Sequence, residues 1–437
     1  MATGTDGPLA TDLGTALAKA CPATSVHRGG PGDAVDGVVP ALVASPRSTA
    51  EVAAVVSLAA TFGCTLAARG AGTKLDWGRA PESVGLLVDL SRMDHLLEHQ
   101  AGDFVVRVEA GTRLDRLARH LAATGQRLPV DEVVPGSSVG GVIATGLSGP
   151  SRHADGAVRD VLIGVTVVRS DGVVARSGSK VVKNVAGYDL AKLFTGSFGT
   201  LGIVTEATFR LRPIARSRQI LAATLAGEDE LATALAALRG SQIAPSAIEI
   251  DRSGAQGAGH GAIEIAVLIE GDEQPLAERA EVCRTLLAPA SGARSAPDRT
   301  AARSRDTAPA WWGRIPGPVS VKVAIAPALV PDLLADLAAC ARSRGISLTV
   351  RGSAADGVLW AGCSQLGDPA AVGEVLAVAR ARCAGTGGGA MLLRAPAETK
   401  AALDCWGPVR GLDLMRRVKA SFDPERLLAP GRFVGGI

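Results

Sequence analysis

Residues 135–149 read PGSSVGGVIATGLSG, fifteen residues without a charge and mostly glycine, serine, alanine and threonine. Ser137, Ser138, Gly140, Gly141, Ala144 and Thr145 place small groups and hydroxyls where a backbone can lie against a ligand. Val139, Val142 and Ile143 are free to face a core. A second loop of this kind precedes it. Residues 68–78 (ARGAGTKLDWG) follow a strand-like run, and Gly70 and Gly72 permit successive amides to converge as an anion-binding nest. That loop alone reads equally as an ordinary turn. A third, 195–205 (TGSFGTLGIVT), sets Gly196, Gly199 and Gly202 just before a β-branched run. Three such loops within about 140 residues point to one extended dinucleotide.

Two familiar phosphate motifs are excluded. No G-x-x-x-x-G-K-[ST] string occurs, and Gly70-x-Gly72 lacks the third glycine and following helix of a dinucleotide fingerprint. Asp89 stands at a tempting distance, but the segment between holds Pro81 and no helical period, so NAD is not expected there.

The elements around the loops follow from patterning. Residues 38–44 read as a strand, and Ser48 with Glu51 forms a capping-box pattern before Val52, Val55, Val56 and Ala59, with Gly63 as the stop. Strands follow at 65–68 and 85–89. A helix is expected from a Thr112 cap, with Leu114, Leu117 and Leu121 on one face. Residues 161–177 read as a hairpin with Asp171-Gly172 in a two-residue type I′ turn. Residues 184–195 read as helix and 202–212 as strand. Beyond Pro213 the order is strand 219–225, helix 228–239, strands 246–251 and 262–270, helix 275–287. A linker (288–310) is followed by strand 319–326, helix 329–344, strands 346–352 and 357–362, helix 368–384 and strand 389–394. Two β-α-β-β-α runs predict a pair of ferredoxin-like halves in one antiparallel sheet.

Of 437 residues 47% are hydrophobic and 20% charged, the balance of a globular protein of two or three domains. The net charge of +3 and the lack of a basic run argue against a nucleic-acid partner. No secretion signal or membrane span is read, so a cytoplasmic location is expected, at most peripheral to a membrane through partners. The seven cysteines (21, 64, 283, 340, 363, 383, 405) include no C-x-x-C pair. Free thiols used as small core residues are expected, with no cluster and no metal.

The strings RGAGTK (69–74), PGSSVGGVIATGLSGPSRHADGAVRD (135–160), KVVKNVAGYDLAKLFTGSFGTLGIVTEATFRLRP (180–213) and DPERLLAPGRFVGG (423–436) resemble the vanillyl-alcohol-oxidase-type (PCMH-type) FAD family. Within it the likeness is greatest to the E-subunit group of bacterial glycolate oxidases. It covers about 170 residues plus the tail, while 214–404 shares the general two-half layout. The resemblance implies an α+β fold. A PCMH-type FAD-binding domain (1–213) would carry an antiparallel-sheet cap (214–404), and a C-terminal segment (405–437) would pack back on the FAD domain. FAD would lie extended and non-covalent, because the first loop lacks the histidine that some relatives attach to the flavin. The amides of Arg69, Gly70, Ala71, Gly72 and Thr73 would hold the diphosphate, with Lys74 adjacent. Pro135, Gly136, Ser137, Ser138, Gly140, Gly141, Ala144 and Thr145 would line the cofactor, with Gly199 nearby. Gly202, Ile203 and Val204 would approach its adenosine end, and Arg432 in the tail is a further candidate.

For a small 2-hydroxy acid, the expected substrate, a base takes the hydroxyl proton and cations hold the carboxylate. The catalytic candidates are Tyr188, the single tyrosine; Lys192, one helical turn on; and Arg394, after the last cap strand. Lys183 and Asn184 precede Tyr188 and read more readily as solvated or capping residues. The six histidines (27, 95, 99, 120, 153, 260) form no H-x-G-D-G-N-type segment, which makes turnover by this chain alone doubtful. The implied role is an FAD-binding subunit of a 2-hydroxy-acid oxidase complex, with a D-type flavin subunit and an iron–sulfur subunit as partners. A self-sufficient oxidoreductase of another substrate, or a non-catalytic assembly subunit, are the alternatives.

Overall fold

The computed structural model describes residues 8–178, 189–253, 262–288, 303–305, 308–363 and 368–437. They form two compact units. The first comprises residues 1–148, 156–214 and 408–437; the second comprises 149–155 and 215–407.

In the first unit, strands Ser25–Arg28, Leu42–Ser45, Leu86–Asp89 and Leu66–Arg69 lie in that order, the first pair antiparallel and the rest parallel. A five-stranded antiparallel sheet runs Leu96–Gln100, Val105–Glu109, Ile203–Arg210, Leu162–Val168, Val174–Gly178. Helix Thr49–Thr61 starts where the capping box expects: the Ser48 hydroxyl accepts the Glu51 amide at 3.2 Å. Its Val52, Val55, Val56 and Ala59 share one core with Leu66, Leu86 and Val88 of the first sheet and Val106, Val165 and Phe209 of the second. Each buried aliphatic side chain contributes roughly 1.5–3 kcal/mol. This core fixes the strand ends from which the glycine loops leave.

The second unit holds one eight-stranded antiparallel sheet. Arg303–Arg305, Ser217–Leu225, Ile263–Gly271 and Ala247–Arg252 make one half; Leu348–Ser353, Val358–Cys363, Val319–Ala324 and Gly389–Arg394 make the other. Each half has the strand order of a ferredoxin-like unit, and the halves join where Ala247–Arg252 pairs with Leu348–Ser353. Helices Glu228–Gly240, Glu273–Leu287, Val330–Arg344 and Pro369–Cys383 supply the crossovers and pack on the sheet. Val319, Val321 and Val323 are buried beneath helix Pro369–Cys383, whereas the alternate residues Ser320, Lys322 and Ala324 belong to the other face.

Three local expectations are corrected. Helix Leu114–Ala122 has Arg113 rather than Thr112 at its cap, without a side-chain bond, and the Thr112 hydroxyl donates to the His95 carbonyl at 3.4 Å. The hairpin closes through a longer loop than the type I′ reading. Arg169 N donates to Val173 O, Gly172 alone of the pair has positive φ (82°), and the Asp171 carboxylate accepts the Val173 amide. Part of the expected linker, Arg303–Arg305, is an edge strand against Ile220–Ala222. The expected helix 184–195 is described from residue 189 onward, with Ala191–Phe194 helical. All seven cysteines are buried free thiols, and burial pushes Cys64 up to about 11 and Cys283 up to about 12. No helix among the described residues is long and apolar enough to cross a membrane.

Candidate functional site

The glycine loops converge within the first unit. The loop after strand Leu66–Arg69, helix Val139–Thr145, the turn 197–199 and the start of strand Ile203–Arg210 enclose a cleft. Its volume is about 820 Å³ including the part open to solvent. Arg69, Gly70, Ala71, Gly72, Thr73 and Lys74 line it, as do Ser138, Gly140, Gly141, Ala144 and Thr145. Gly199, Gly202, Ile203, Val204 and Arg432 complete the sequence candidates found there.

Close approach explains the glycines. A Cβ on Gly70 would stand 2.2 Å from the Ser138 hydroxyl oxygen, and one on Gly140 would stand 2.9 Å from the Ala110 Cβ. Gly140 N donates to Ala110 O at 2.7 Å, and Ala110 N donates to Thr205 O at 2.9 Å, so the second and third loops are knitted through one residue. Gly196 N and Phe198 N donate to Ile143 O and Ala144 O, tying the turn to the end of helix Val139–Thr145. Phe198 holds φ of 55° and stacks on Phe433 with centroids 5.6 Å apart. That backbone conformation disfavours a side chain by about 1–2 kcal/mol.

Hydrogen bonds sort the donors of the first loop. Ser138 Oγ accepts Ala71 N at 3.2 Å and Gly141 N at 3.4 Å, so Ala71's amide is committed to the protein. The Gly72 and Thr73 amides donate to no protein group among the described residues. Gly72 has φ of 73°, which turns successive amides toward one point. The Arg69 guanidinium is drawn to Asp33 (2.8 Å) and Asp89 (2.7 Å), leaving its backbone to the cleft.

Lys74 is the charge of the site. Its Nζ donates to Ser137 Oγ at 2.7 Å and Thr73 Oγ1 at 3.0 Å. Desolvation brings its ammonium down to about 8, against the pull of Glu132. A buried cation beside unpaired amides and glycine-narrowed walls is a donor set suited to a diphosphate. Arg432 closes the loop from behind: Nη2 donates to the carbonyls of Lys74 (3.2 Å), Leu75 (3.0 Å) and Trp77 (3.4 Å). Its Nε is buried without a partner, and desolvation lowers the guanidinium to about 10.

Other candidates lie elsewhere. Pro135 and Gly136 do not line the cleft; the Gly136 amide donates to Glu132 Oε1 at 2.8 Å in a turn. Ser137 is fully buried behind Lys74 and donates to Val134 O. Lys192 is exposed and ion-paired with Asp189 at 3.3 Å, away from the cleft lining. Arg394 is exposed at the end of its strand in the second unit. Tyr188, Lys183 and Asn184 lie outside the described residues. Sequence reasoning missed Leu90, Ala110, Ser197, Phe198 and Ala429 as lining residues. Ser197 and Phe198 lie inside the TGSFG string, whose glycines carry its local signal; Ala110 and Ala429 carry none.

One prediction follows from Lys74. In the free protein it is charged below about pH 8, and a diphosphate beside it favours the charged form. Binding therefore takes up a proton above pH 8, and FAD affinity falls with rising pH by up to about tenfold per unit. Flavin-fluorescence titrations at pH 7 and 9 are expected to show that loss, and Lys74→Met is expected to flatten it. An unchanged slope in the variant contradicts the assignment.

Comparison with known proteins bears on the cofactor of this unit. Residues 40–178 match the FAD binding domain family, and residues 400–433 match the C-terminal domain of FAD linked oxidases. The chain is 32% identical over 212 residues to the glycolate oxidase subunit GlcD of Bacillus subtilis, covering 48% of this chain and 45% of that one. It is 34% identical over 154 residues to the glycolate oxidase subunit GlcE of Escherichia coli, covering 35% and 43% respectively. It is 34% identical over 178 residues to a D-lactate dehydrogenase of Anaerostipes hadrus, covering 41% and 38%. The match thus spans less than half the length of each of these relatives. A solved alkyldihydroxyacetonephosphate synthase shares the fold, with a TM-score of 0.66 at 18% identity over 90% of this chain and 78% of that one. Residues 40–178 thus carry a PCMH-type FAD-binding domain, with FAD as its cofactor, and the chain is similar to FAD-linked oxidoreductases over that domain and the C-terminal tail.

Proposed function

We propose that this chain is the FAD-binding subunit of an oxidase or dehydrogenase complex acting on a small 2-hydroxy acid, with glycolate and D-lactate as the first substrates to test. The observation that carries the reading is the cleft itself, where the Gly72 and Thr73 amides and buried Lys74 sit between close-packed glycines. The substrate class rests on the names of relatives, which include glycolate oxidase subunits and D-lactate dehydrogenases. Bound FAD would supply the two-electron acceptor. The protein's part is to hold the diphosphate with Lys74 and the loop amides, and to keep the loop closed through Arg432. The first loop offers Thr73 and Lys74 and no histidine, so FAD is held without a covalent bond. The sequence contains no cluster-ligating cysteine pattern, so electrons leave to a partner: a D-type flavin subunit and an iron–sulfur subunit.

The test is anaerobic addition of glycolate or D-lactate to the purified yellow chain, alone and with candidate partner subunits. Bleaching of the flavin band with partners present supports the reading. A colourless chain that refuses added FAD overturns it at the cofactor, and a yellow chain that no 2-hydroxy acid bleaches in any combination overturns it at the substrate.

A further inference from the structure

The second unit carries a row of side chains across one face of its sheet. Strand register sets Lys322 opposite Trp360, Trp360 opposite Arg351, Arg351 opposite Asp251 and Asp251 opposite Glu264. Directly opposed residues of antiparallel strands share a face. Most charges in and beside the row are matched. Arg351 bonds Asp251 at 2.7 Å, the Trp311 indole donates to Glu264 at 2.6 Å, and Asp356 takes His153 Nδ1 and the Ser353 hydroxyl, each at 3.1 Å.

Lys322 is the exception. Its ammonium lies 5.7 Å from the Trp360 ring centroid and makes no ion pair or hydrogen bond among the described residues. The charge acting on it is another cation, Arg152, of the short helix Arg152–Asp155 in the same unit. Desolvation first, and Arg152 second, bring Lys322 down to about 8. Arg152 also acts on Asp356, an acid already engaged by His153 and Ser353. A buried ammonium over an aromatic face, with the cation of a short helix docked on the same sheet through His153 and Asp356 acting on it, and with Asp251 and Asp356 already engaged, makes a place where an anion relieves repulsion.

We propose that Lys322, Arg152 and the face of Trp360 form a binding site for the carboxylate of a small organic acid. Lys322 supplies a point charge with free donors, Arg152 a planar fork, and Trp360 an apolar floor for the carbon chain. Assigning the acid as the substrate rests on the function proposed above; the site itself does not. It also shifts the carboxylate-holding role from Arg394 to residues of the sheet face and of the segment 149–155.

The experiment is calorimetric titration of the FAD-loaded full chain with D-lactate, glycolate and methyl lactate, run beside flavin bleaching. The proteins are wild type, Lys322→Met, Lys322→Gln, Lys322→Arg and Arg152→Gln, with FAD content and melting temperature as controls for folding. The expected result is a dissociation constant for the acids raised about tenfold or more in Lys322→Met and Lys322→Gln, and less in Lys322→Arg, since a bond to a charged partner is at stake. Methyl lactate, which has lost the charge, is expected to be indifferent to the substitutions. Acids that bleach the flavin but bind neutral variants as tightly as wild type overturn the site and leave the oxidoreductase reading standing. Carboxylate binding that depends on Lys322 without any bleaching supports the site and overturns the substrate assignment. A wild-type chain that binds no carboxylate overturns the site.

Discussion

Lys419→Met is expected to lower the melting temperature of the FAD-binding unit by about 10 °C, the largest loss from any single truncation proposed for this chain. Lys419 and Asp423 lie on helix Leu412–Phe422 and just past its end, with side chains 5% and 0% exposed. Nζ donates to Asp423 Oδ2 at 2.6 Å, Thr200 O at 2.8 Å and Leu428 O at 3.0 Å, filling all three ammonium donors. The carboxylate also accepts the amides of Leu427 and Leu428 at 2.9 and 2.8 Å. Desolvation lowers Lys419's pKa and the Asp423 bond opposes it, so the ammonium is held by its partners. Removing one member strands a buried charge, at about 3–5 kcal/mol, and each kcal/mol moves a domain of this size by roughly 2–4 °C. The damage reaches the cofactor. Leu66 N donates to Leu427 O and Ala429 N to Leu66 O, so the tail is stitched to the strand that delivers the first glycine loop. Melting curves with and without FAD are the measurement. A shift under about 2 °C, or FAD affinity untouched despite a large shift, contradicts this account.

The fold was legible where a local pattern and a tertiary role coincide. Ser48 and Glu51 cap a helix whose valines are already spaced for burial, and alternating runs after Pro213 pair as two ferredoxin-like halves. The cleft was legible because glycine is placed by close approach: Gly70 and Gly140 each face an atom that leaves no room for a Cβ. What stayed hidden depends on residues distant in sequence. Lys419 and Asp423 carry no signal beyond their i and i+4 spacing, and one of the bonds that holds the buried ammonium goes to Thr200 O, some two hundred positions away. Arg432 is a candidate in PGRF and lines the cleft, but its bonds to the carbonyls of Lys74, Leu75 and Trp77 carry no signal in the tail. Lys322 in VSVKVA lies in an expected strand, but alternation says which face it takes and not which charges share that face. Thr112 resembles a helix cap by residue type, but the cap falls one residue later, on Arg113, and the Thr112 hydroxyl donates to His95 O.

Gly70→Ala is expected to weaken FAD binding by about 10- to 100-fold, and the identity of the atom it meets makes the loss partly reversible. The new methyl would lie 2.2 Å from Ser138 Oγ and 3.1 Å from Ser138 Cβ, while the nearest backbone atom, Ala110 O, is 4.0 Å away. The obstacle is thus one side chain, and relief requires it to turn. Turning it removes the acceptor for Ala71 N and Gly141 N, which releases the first loop and uncaps helix Val139–Thr145 together. Overpacking costs about 1–3 kcal/mol and a lost cap about 1 kcal/mol. Adding Ser138→Gly to Gly70→Ala removes the obstacle while leaving the cap unfilled. The double variant is expected to bind FAD more tightly than Gly70→Ala and more weakly than wild type, a coupling that a double-mutant cycle isolates. Gly140→Ala is the contrasting case. Its methyl would meet Ala110 Cβ at 2.9 Å and Ala110 O at 3.1 Å, main-chain and methyl atoms with no rotamer to give. The helix-propensity gain of about 1 kcal/mol for alanine over glycine is then spent on backbone displacement, and Ser138→Gly should rescue nothing. If Ser138→Gly restores both glycine variants equally, or neither, the steric reading of the first loop is wrong.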